Sequence, residues 1–445
     1  MHLKRIYVAC SLLFFTFPAL ADEDLREMLN TLSIQVAALK DQLQQSNARI
    51  NELEGKRVLP STARPVVISE VKPTVTLGDT KDTFKIPGSD TSLGFGGFTK
   101  LDVIHNSVGA RDATGLGNQV FLASQIPVGS GVDNRRQGEV VLHAKESRIW
   151  FKSFTPNEFG DVTTHFEFDV LGAGGNNYTP RSRHAYGSIG HLLGGQTWTT
   201  FLNVKAIPET MDNIGSVGML SPMRQPMVRW SQSVEGTGLE WQIAAEAPNG
   251  KIKLNAAADT ISDTNMSPVP DLVARLNYTS KSASISLATM ARKIQNDNNK
   301  IQSAWGGAIS ASGKIDFFQS DNFMFMASYG NALGRYTSGN VFEDAALDAT
   351  GNMELVDVYS MMLSYQHAWS ENWRSTAVLG LERADQPEFV SPLMTKQAES
   401  IHLNLLWSPV PKSTIGIEFI RGVRELVNGE NGALNRVQFS TRFNF

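Results

Sequence analysis

The segment Arg436-Val-Gln-Phe-Ser-Thr-Arg-Phe-Asn-Phe445 sorts its side chains by parity. Val437, Phe439, Thr441, Phe443 and Phe445 take one side, while Gln438, Ser440, Arg442 and Asn444 take the other. Successive side chains of a strand point to opposite faces, so this segment has one apolar and one polar face. Membrane-spanning barrels alternate lipid-facing and lumen-facing residues in this way. A segment that ends on an aromatic residue in this pattern is expected to be the closing strand of a transmembrane β-barrel.

The same alternation recurs upstream. Ile401, Leu403, Leu405 and Trp407 oppose His402, Asn404 and Ser408; Tyr359, Met361, Leu363 and Tyr365 oppose Ser360, Ser364 and Gln366. Val162, Phe166, Phe168 and Val170 oppose Thr163, His165, Glu167 and Asp169. Sixteen strands are predicted, near 94–106, 144–154, 161–171, 182–190, 192–198, 225–233, 238–246, 270–279, 282–292, 301–312, 320–331, 354–368, 371–383, 398–408, 411–424 and 434–445. A soluble β-sandwich would alternate too, but it needs shorter strands and a second sheet to cover these aromatics. The connections favour the barrel because they alternate short and long. Short ones include 155–160, 234–237 and 409–411, and long ones span roughly 107–143, 199–224, 247–269 and 332–353. An even strand number with short turns at one end is the pattern of outer-membrane barrels, and sixteen strands leave an aqueous channel. Trp369, Trp373 and Trp407 lie beside short turns, where an interfacial girdle belongs. The expected fold class is an all-β transmembrane barrel of 16 antiparallel strands with an N-terminal helical coiled coil.

Four segments are expected along the chain. Residues 1–21 read as a secretory signal peptide: Lys4 and Arg5, an apolar run from Ile6 to Phe17, then Ala19-Leu-Ala21 as a small-x-small cleavage site. The single cysteine, Cys10, lies inside that segment, so no disulfide or thiolate metal site is expected after it. Residues 22–54 carry heptads, with Leu29, Val36, Leu43 and Ile50 at a and Leu25, Leu32, Leu39, Ser46 and Leu53 at d. That spacing predicts a periplasmic coiled coil about 43 Å long. A single amphipathic helix on a globular core is the plainer alternative, but the apolar stripe is only a and d wide. Residues 55–92 form a linker punctuated by Pro60, Pro65, Pro73 and Pro87, and the barrel occupies 93–445. Without residues 1–21 the chain has 38 basic and 44 acidic residues, which gives no footprint for nucleic acid. No later run reaches about 18 apolar residues, so a helical membrane span is not expected.

The third long loop, Thr199 to Arg224, carries Lys205, Glu209, Asp212 and Arg224. A loop folded into the barrel would narrow the lumen and let those charges select solutes at close range. The plainer reading is an outer loop with solvated charges. On the wall, Lys100, Arg148, Lys152, Arg183, Arg229, Arg275, Arg292, Arg374 and Arg442 have lumen parity, against Asp102, Glu167, Asp169, Glu240, Glu246, Glu382 and Glu418. Clustered arginines concentrate anions and bind carboxylates through two parallel hydrogen bonds. Individually, such residues more often cross-link neighbouring strands. There is no His-Glu-x-x-His, no Gly-x-Ser-x-Gly and no phosphate loop, so neither an enzyme nor a cofactor or metal site is expected. His105, His165 and His402 read as lumen or rim positions.

Several stretches together carry a family resemblance. They are Phe84-Lys-Ile-Pro-Gly-Ser-Asp-Thr-Ser-Leu93, Gly97-Phe-Thr-Lys-Leu-Asp102, Ser147-Arg148, Arg183-His-Ala-Tyr-Gly187, Gly195-Gln-Thr-Trp-Thr-Thr-Phe201, and Arg224-Gln-Pro226 with Arg229. With these the chain resembles the DcaP-like family of trimeric outer-membrane porins over nearly its whole length after residue 21. The resemblance implies a homotrimer set in outer-membrane lipid and lipopolysaccharide, passing small anionic solutes such as dicarboxylates, with its coiled coil in the periplasm. It departs from that expectation in one respect, since the third loop carries both signs. The expected solute contacts are Arg148, Lys152, Arg183, Arg224 and Arg229, with Lys205, Glu209 and Asp212 on the loop. A rival reading makes the barrel an anchor and the coiled coil a tether to peptidoglycan.

Overall fold

The computed structural model describes residues 76–445 except 111–115, 130–136, 173–176, 255–260, 265–266, 297–300 and 319, plus nine helical positions between 37 and 49. Those nine positions are exposed, and none is an a or d residue of the heptads. The a and d residues themselves, like the signal segment, lie outside the described residues.

Sixteen strands form the wall: β1 (Ser92–Val108), β2 (Gln137–His143 continuing as Arg148–Thr155), β3 (Val162–Asp169), β4 (Arg181–Ile189), β5 (Leu192–Trp198), β6 (Arg224–Val234), β7 (Leu239–Glu246), β8 (Asp271–Thr279), β9 (Ala283–Asn296), β10 (Gln302–Phe317), β11 (Asp321–Asn331), β12 (Asp357–Ala368), β13 (Trp373–Asp385), β14 (Thr395–Trp407), β15 (Ser413–Leu426) and β16 (Asn431–Asn444). Each pairs antiparallel with the next, and β16 pairs back onto β1, from Phe98 opposite Asn444 to Asn106 opposite Arg436. The sheet therefore has no free edge, as lipid requires of any strand structure that spans it. Parity behaves as the sequence predicts. Val437, Phe439 and Phe443 are exposed on the outer face, whereas Arg436, Gln438 and Ser440 are buried on the inner one. The connections at the end where β1 begins and β16 stops are all short, and the long ones lie at the other end, beside the short 427–430 turn. At the short-turn end Trp373 and Trp407 stack with centroids 5.7 Å apart, forming part of the interfacial aromatic belt.

Two features depart from the sequence reading. The second strand begins at Gln137, not near 144, because it is broken by a bulge: residues 144–147 face only residues 99–101 of β1. The bulge interrupts the period-two pattern, which hides Gln137–His143 from a periodicity argument. The connections 247–270 and 332–356 are also not plain loops. They contribute Gly250–Lys253, Ile261–Thr264, Ala345–Leu347 and Met353–Leu355 to a separate four-stranded sheet. Ile252, Ala345 and Leu347 of that sheet pack with Ile294 and Ala332 in a small apolar core.

Leu363, exposed near the middle of β12, faces lipid in this arrangement. Leu363→Arg is expected to cost about 2–4 kcal/mol of folding free energy, as cations at the bilayer midplane do. Urea titration of the protein folded into lipid vesicles checks this, and an unchanged midpoint would place Leu363 off the lipid face.

Candidate solute pathway

The third loop does not stay outside. β5 is short and stops at Trp198, and residues 199–223 then cross the barrel interior to the opposite wall. A chain that enters the lumen must satisfy its backbone donors there. Three wall glutamates accept them: Glu246 from Thr200 N (2.6 Å), Glu418 from Met211 N (2.7 Å) and Glu382 from Gly218 N (2.9 Å). Ser400 accepts from Val217 N at 3.0 Å. The loop lies so close at Val217 and Gly218 that a Cβ on Gly380 would strike the Val217 carbonyl, and one on Gly218, which has φ +78°, would strike that of Met361.

The two acids of the loop are engaged by wall arginines. Glu209 accepts from Arg374 Nε (2.7 Å) and Nη2 (2.6 Å), and Asp212 pairs with Arg436 at 3.2 Å. Burial pushes the Asp212 carboxyl above its ordinary range; Arg436 and the amides of Phe121 and Ile214 hold it back. Arg436 is fully buried and donates to Asn106 Oδ1 (2.7 Å), Gly117 O (3.2 Å) and Val120 O (3.1 Å). One guanidinium thus joins the wall, the first loop and the third loop.

Beneath the loop, toward the short-turn end, lies a cavity of about 510 Å³. Its basic lining is Lys100, Arg148, Arg183, Arg224 and Arg442, and its apolar lining includes Phe98, Trp198, Ile207, Met211 and Leu406. The arginines reach it from four strands. On β4 a bulge opposite Glu167 and Phe168 adds one residue, which lets both Arg183 and His184 bury on the luminal side. Arg224 Nε donates to His184 Nε2 at 2.9 Å, so the His184 proton sits on Nδ1 and is donated to Thr197 Oγ1 at 3.0 Å. The Arg224 guanidinium also lies 3.4 Å from the Trp198 ring centroid, and that of Arg442 lies 3.9 Å from the Phe98 centroid. These ring contacts hold both guanidinium groups in place, and Arg224 also donates through Nη1 to Pro222 O at 3.3 Å.

Charge around the cavity is uneven. Arg148 and Arg224 reach Glu167 at 3.0 and 4.0 Å, while Arg148, Arg181 and Arg183 reach Asp169 at 3.8, 2.7 and 3.5 Å. Four arginines therefore share two carboxylates. Among the described residues Arg442 meets no carboxylate, and the buried Nε atoms of Arg148 and Arg183 have no hydrogen-bond acceptor. The arrangement offers cationic donors beside apolar surface in a confined passage.

Residues 80–445 match the family described as DcaP outer membrane protein. The chain belongs to that family. Among solved structures, the outer membrane channel DcaP of Acinetobacter baumannii superposes with a TM-score of 0.69 at 20% identity, covering 83% of this chain and 100% of that one. An anion-selective porin from Comamonas acidovorans gives 0.50 at 11% identity, covering 80% and 100%. Salmonella typhi OmpF gives 0.50 at 10% identity, covering 80% and 98%. At these identities the likeness is one of fold: a sixteen-stranded porin barrel. A search of curated proteins found no match.

Of the residues singled out from the sequence, Arg148, Arg183, Glu209, Asp212 and Arg224 line this cavity together. Lys152, Lys205 and Arg229 do not. Lys152 lies 4.7 Å from the Trp150 ring, Lys205 Nζ donates to Thr279 Oγ1 at 3.2 Å near the short-turn end, and Arg229 faces the surroundings of Glu240 and Glu246. Arg229 and Arg224 are thus not a pair. Glu146 was missed because it sits in the β2 bulge; there it accepts from Lys100 Nζ at 2.5 Å. Of the three histidines, His165 stacks on His184 at 5.0 Å and His402 is buried beside Glu418, but His105 faces outward.

Because Arg436 ties two loops to the wall, Arg436→Gln is expected to leave the barrel folded and loosen the constriction. Single-channel records should show larger, noisier openings, and Asp212→Asn should reproduce them. Gly380→Val, which pushes on Val217 from the wall, should also raise conductance. Wild-type conductance in all three would mean that the loop does not define the narrowest section.

Proposed function

We propose that the protein is an outer-membrane porin for passive diffusion of small, preferably anionic solutes of dicarboxylate type into the periplasm. The observation that carries this reading is the cavity under the third loop, where Arg148, Arg183, Arg224 and Arg442 outnumber their carboxylate partners. The mixed signs of the third loop, which speak against an anion preference in the sequence, lose their weight. Glu209 and Asp212 line the cavity too, but Arg374 and Arg436 each balance one of them. A dicarboxylate fits such a site because two separated guanidinium edges can each take one carboxylate. Solute moves down its gradient, with the arginines raising its local concentration.

The remaining parts of the reading concern assembly. Residues 1–21 would act as the export signal and residues 22–54 as a periplasmic coiled coil that helps to hold a homotrimer. Its support is the strict heptad pattern of apolar residues together with the exposed b, c, e, f and g positions.

Reversal potentials of the full mature chain in planar bilayers under a salt gradient test the selectivity. The wild type is expected to favour anions, and the double variant Arg224→Gln with Arg442→Gln is expected to shift the reversal potential toward cations while still conducting. A cation-selective wild type would overturn the anion reading. Removing residues 22–54 is expected to leave single-channel conductance unchanged and to lower the temperature at which the oligomer dissociates on gels; an unaltered oligomer would dismiss the coiled coil from assembly.

A further inference from the structure

A second cavity, of about 560 Å³, lies on the long-loop side of the same constriction. It shares Asn213 and Ile214 with the first, so the tip of the third loop separates the two. Its charged lining is Arg181, Lys251, Lys253 and Arg424 against Glu343. We propose that this vestibule is a second anion station, built chiefly by Lys251, which captures carboxylate solutes before they pass the loop tip. The inference rests on the anion-porin reading and assigns it a point of entry.

The small sheet outside the barrel wall is what places these lysines. Lys251 and Lys253 alternate with Ile252, which is fully buried against Ile294 and Ala345, so burial of the isoleucine turns both lysines to the other face. The strand Gly250–Lys253 pairs in parallel with Ala345–Leu347, Ile252 opposite Ala345 and Lys253 opposite Ala346, which joins two long connections into one platform. The nearby Asp344 does not cancel the charge. Its carboxylate accepts from Lys251 N at 2.9 Å and from Arg292 Nη1 at 2.8 Å. Glu343 lines the same vestibule and Asp263 stands opposite Lys251 across the strand pair, yet among the described side chains no carboxylate comes within ion-pair distance of Lys251 Nζ.

The station connects to the lower cavity. Arg181 lines the vestibule and donates to Asp169 through Nε (2.9 Å) and Nη2 (2.7 Å), and the same Asp169 lies 3.5 Å from Arg183 below. Basic side chains therefore continue from the vestibule past Asn213 and Ile214 to Arg183 and Arg224.

The test uses the full mature chain inserted from one side of a planar bilayer, with malonate as the probe added to either side. A unit charge within about 8 Å of the path, in water, changes the local concentration of a dianion about fivefold. Lys251→Gln is expected to lower the rate of malonate association from the long-loop side, read from current interruptions, about fourfold in ~0.01 M salt, where screening acts over about 30 Å, and Lys251→Glu to lower it further. Entry from the short-turn side should change less than about twofold, and both effects should vanish in ~1 M salt, where screening acts within about 3 Å. Arg442→Gln, in contrast, should slow entry from both sides. Unchanged entry in Lys251→Glu, or an equal loss from both sides, would overturn the vestibule station while leaving the lower site standing. A wild type that passes malonate no better than a neutral solute of equal size would overturn the anion-porin reading itself, and the station with it.

Discussion

Closure of the backbone hydrogen-bond ladder is the constraint on which everything else depends. Water is absent from the hydrocarbon core, so each strand must find partners on both sides, and the β1–β16 seam provides the last set. Once the wall is closed, a second demand arises inside it. A loop that enters the lumen brings unpaired amides with it, and those amides need acceptors as much as the wall's do. Glu246, Glu418 and Glu382 supply them. A carboxylate that accepts a backbone N–H makes a charge-assisted bond, stronger than a neutral one and suited to a fixed position.

This division of labour sets the electrostatics of the passage. Glu246, Glu382 and Glu418 of the inner wall face the loop backbone, and the acids of the loop face Arg374 and Arg436. Lys100 is held between Glu146 and Asp102, at 2.5 and 3.1 Å. The basic groups that remain under-partnered are Arg148, Arg183, Arg224 and Arg442, gathered beneath the loop. A near balance of luminal charge in the sequence thus becomes uneven in space, because several wall acids are taken up by the loop backbone while four arginines line the cavity beneath it. The Arg436 hub shows the cost of removing one member. Buried ion pairs contribute little net stability on average, but breaking one leaves an uncompensated charge.

The aromatic residues divide in a similar way. Those on the outer face, such as Trp373 and Trp407, meet the bilayer interface. Those inside, Phe98 and Trp198, serve as flat supports for Arg442 and Arg224. Stacking restricts the rotation of the guanidinium groups, which under the proposed function leaves less ordering for solute binding.

By itself the sequence determined the barrel, the number and order of its strands, the parity of nearly every wall residue and the loop able to enter the lumen. It could do so because period-two alternation is a local property, and a one-residue error would turn a whole strand inside out. It did not show Gln137–His143, since the β2 bulge breaks the period, nor the double inward turn at Arg183 and His184, since the β4 bulge does the same. Which charges meet was decided by the tertiary structure alone. Arg224 and Arg229 lie five positions apart in the chain yet serve different surroundings, while Asp212 and Arg436 lie 224 positions apart and form one contact. Pairings of that kind depend on where a loop lands on the opposite wall. The landing point is fixed by shape and by unmet backbone donors, and neither has a signature in the residue pattern of the loop.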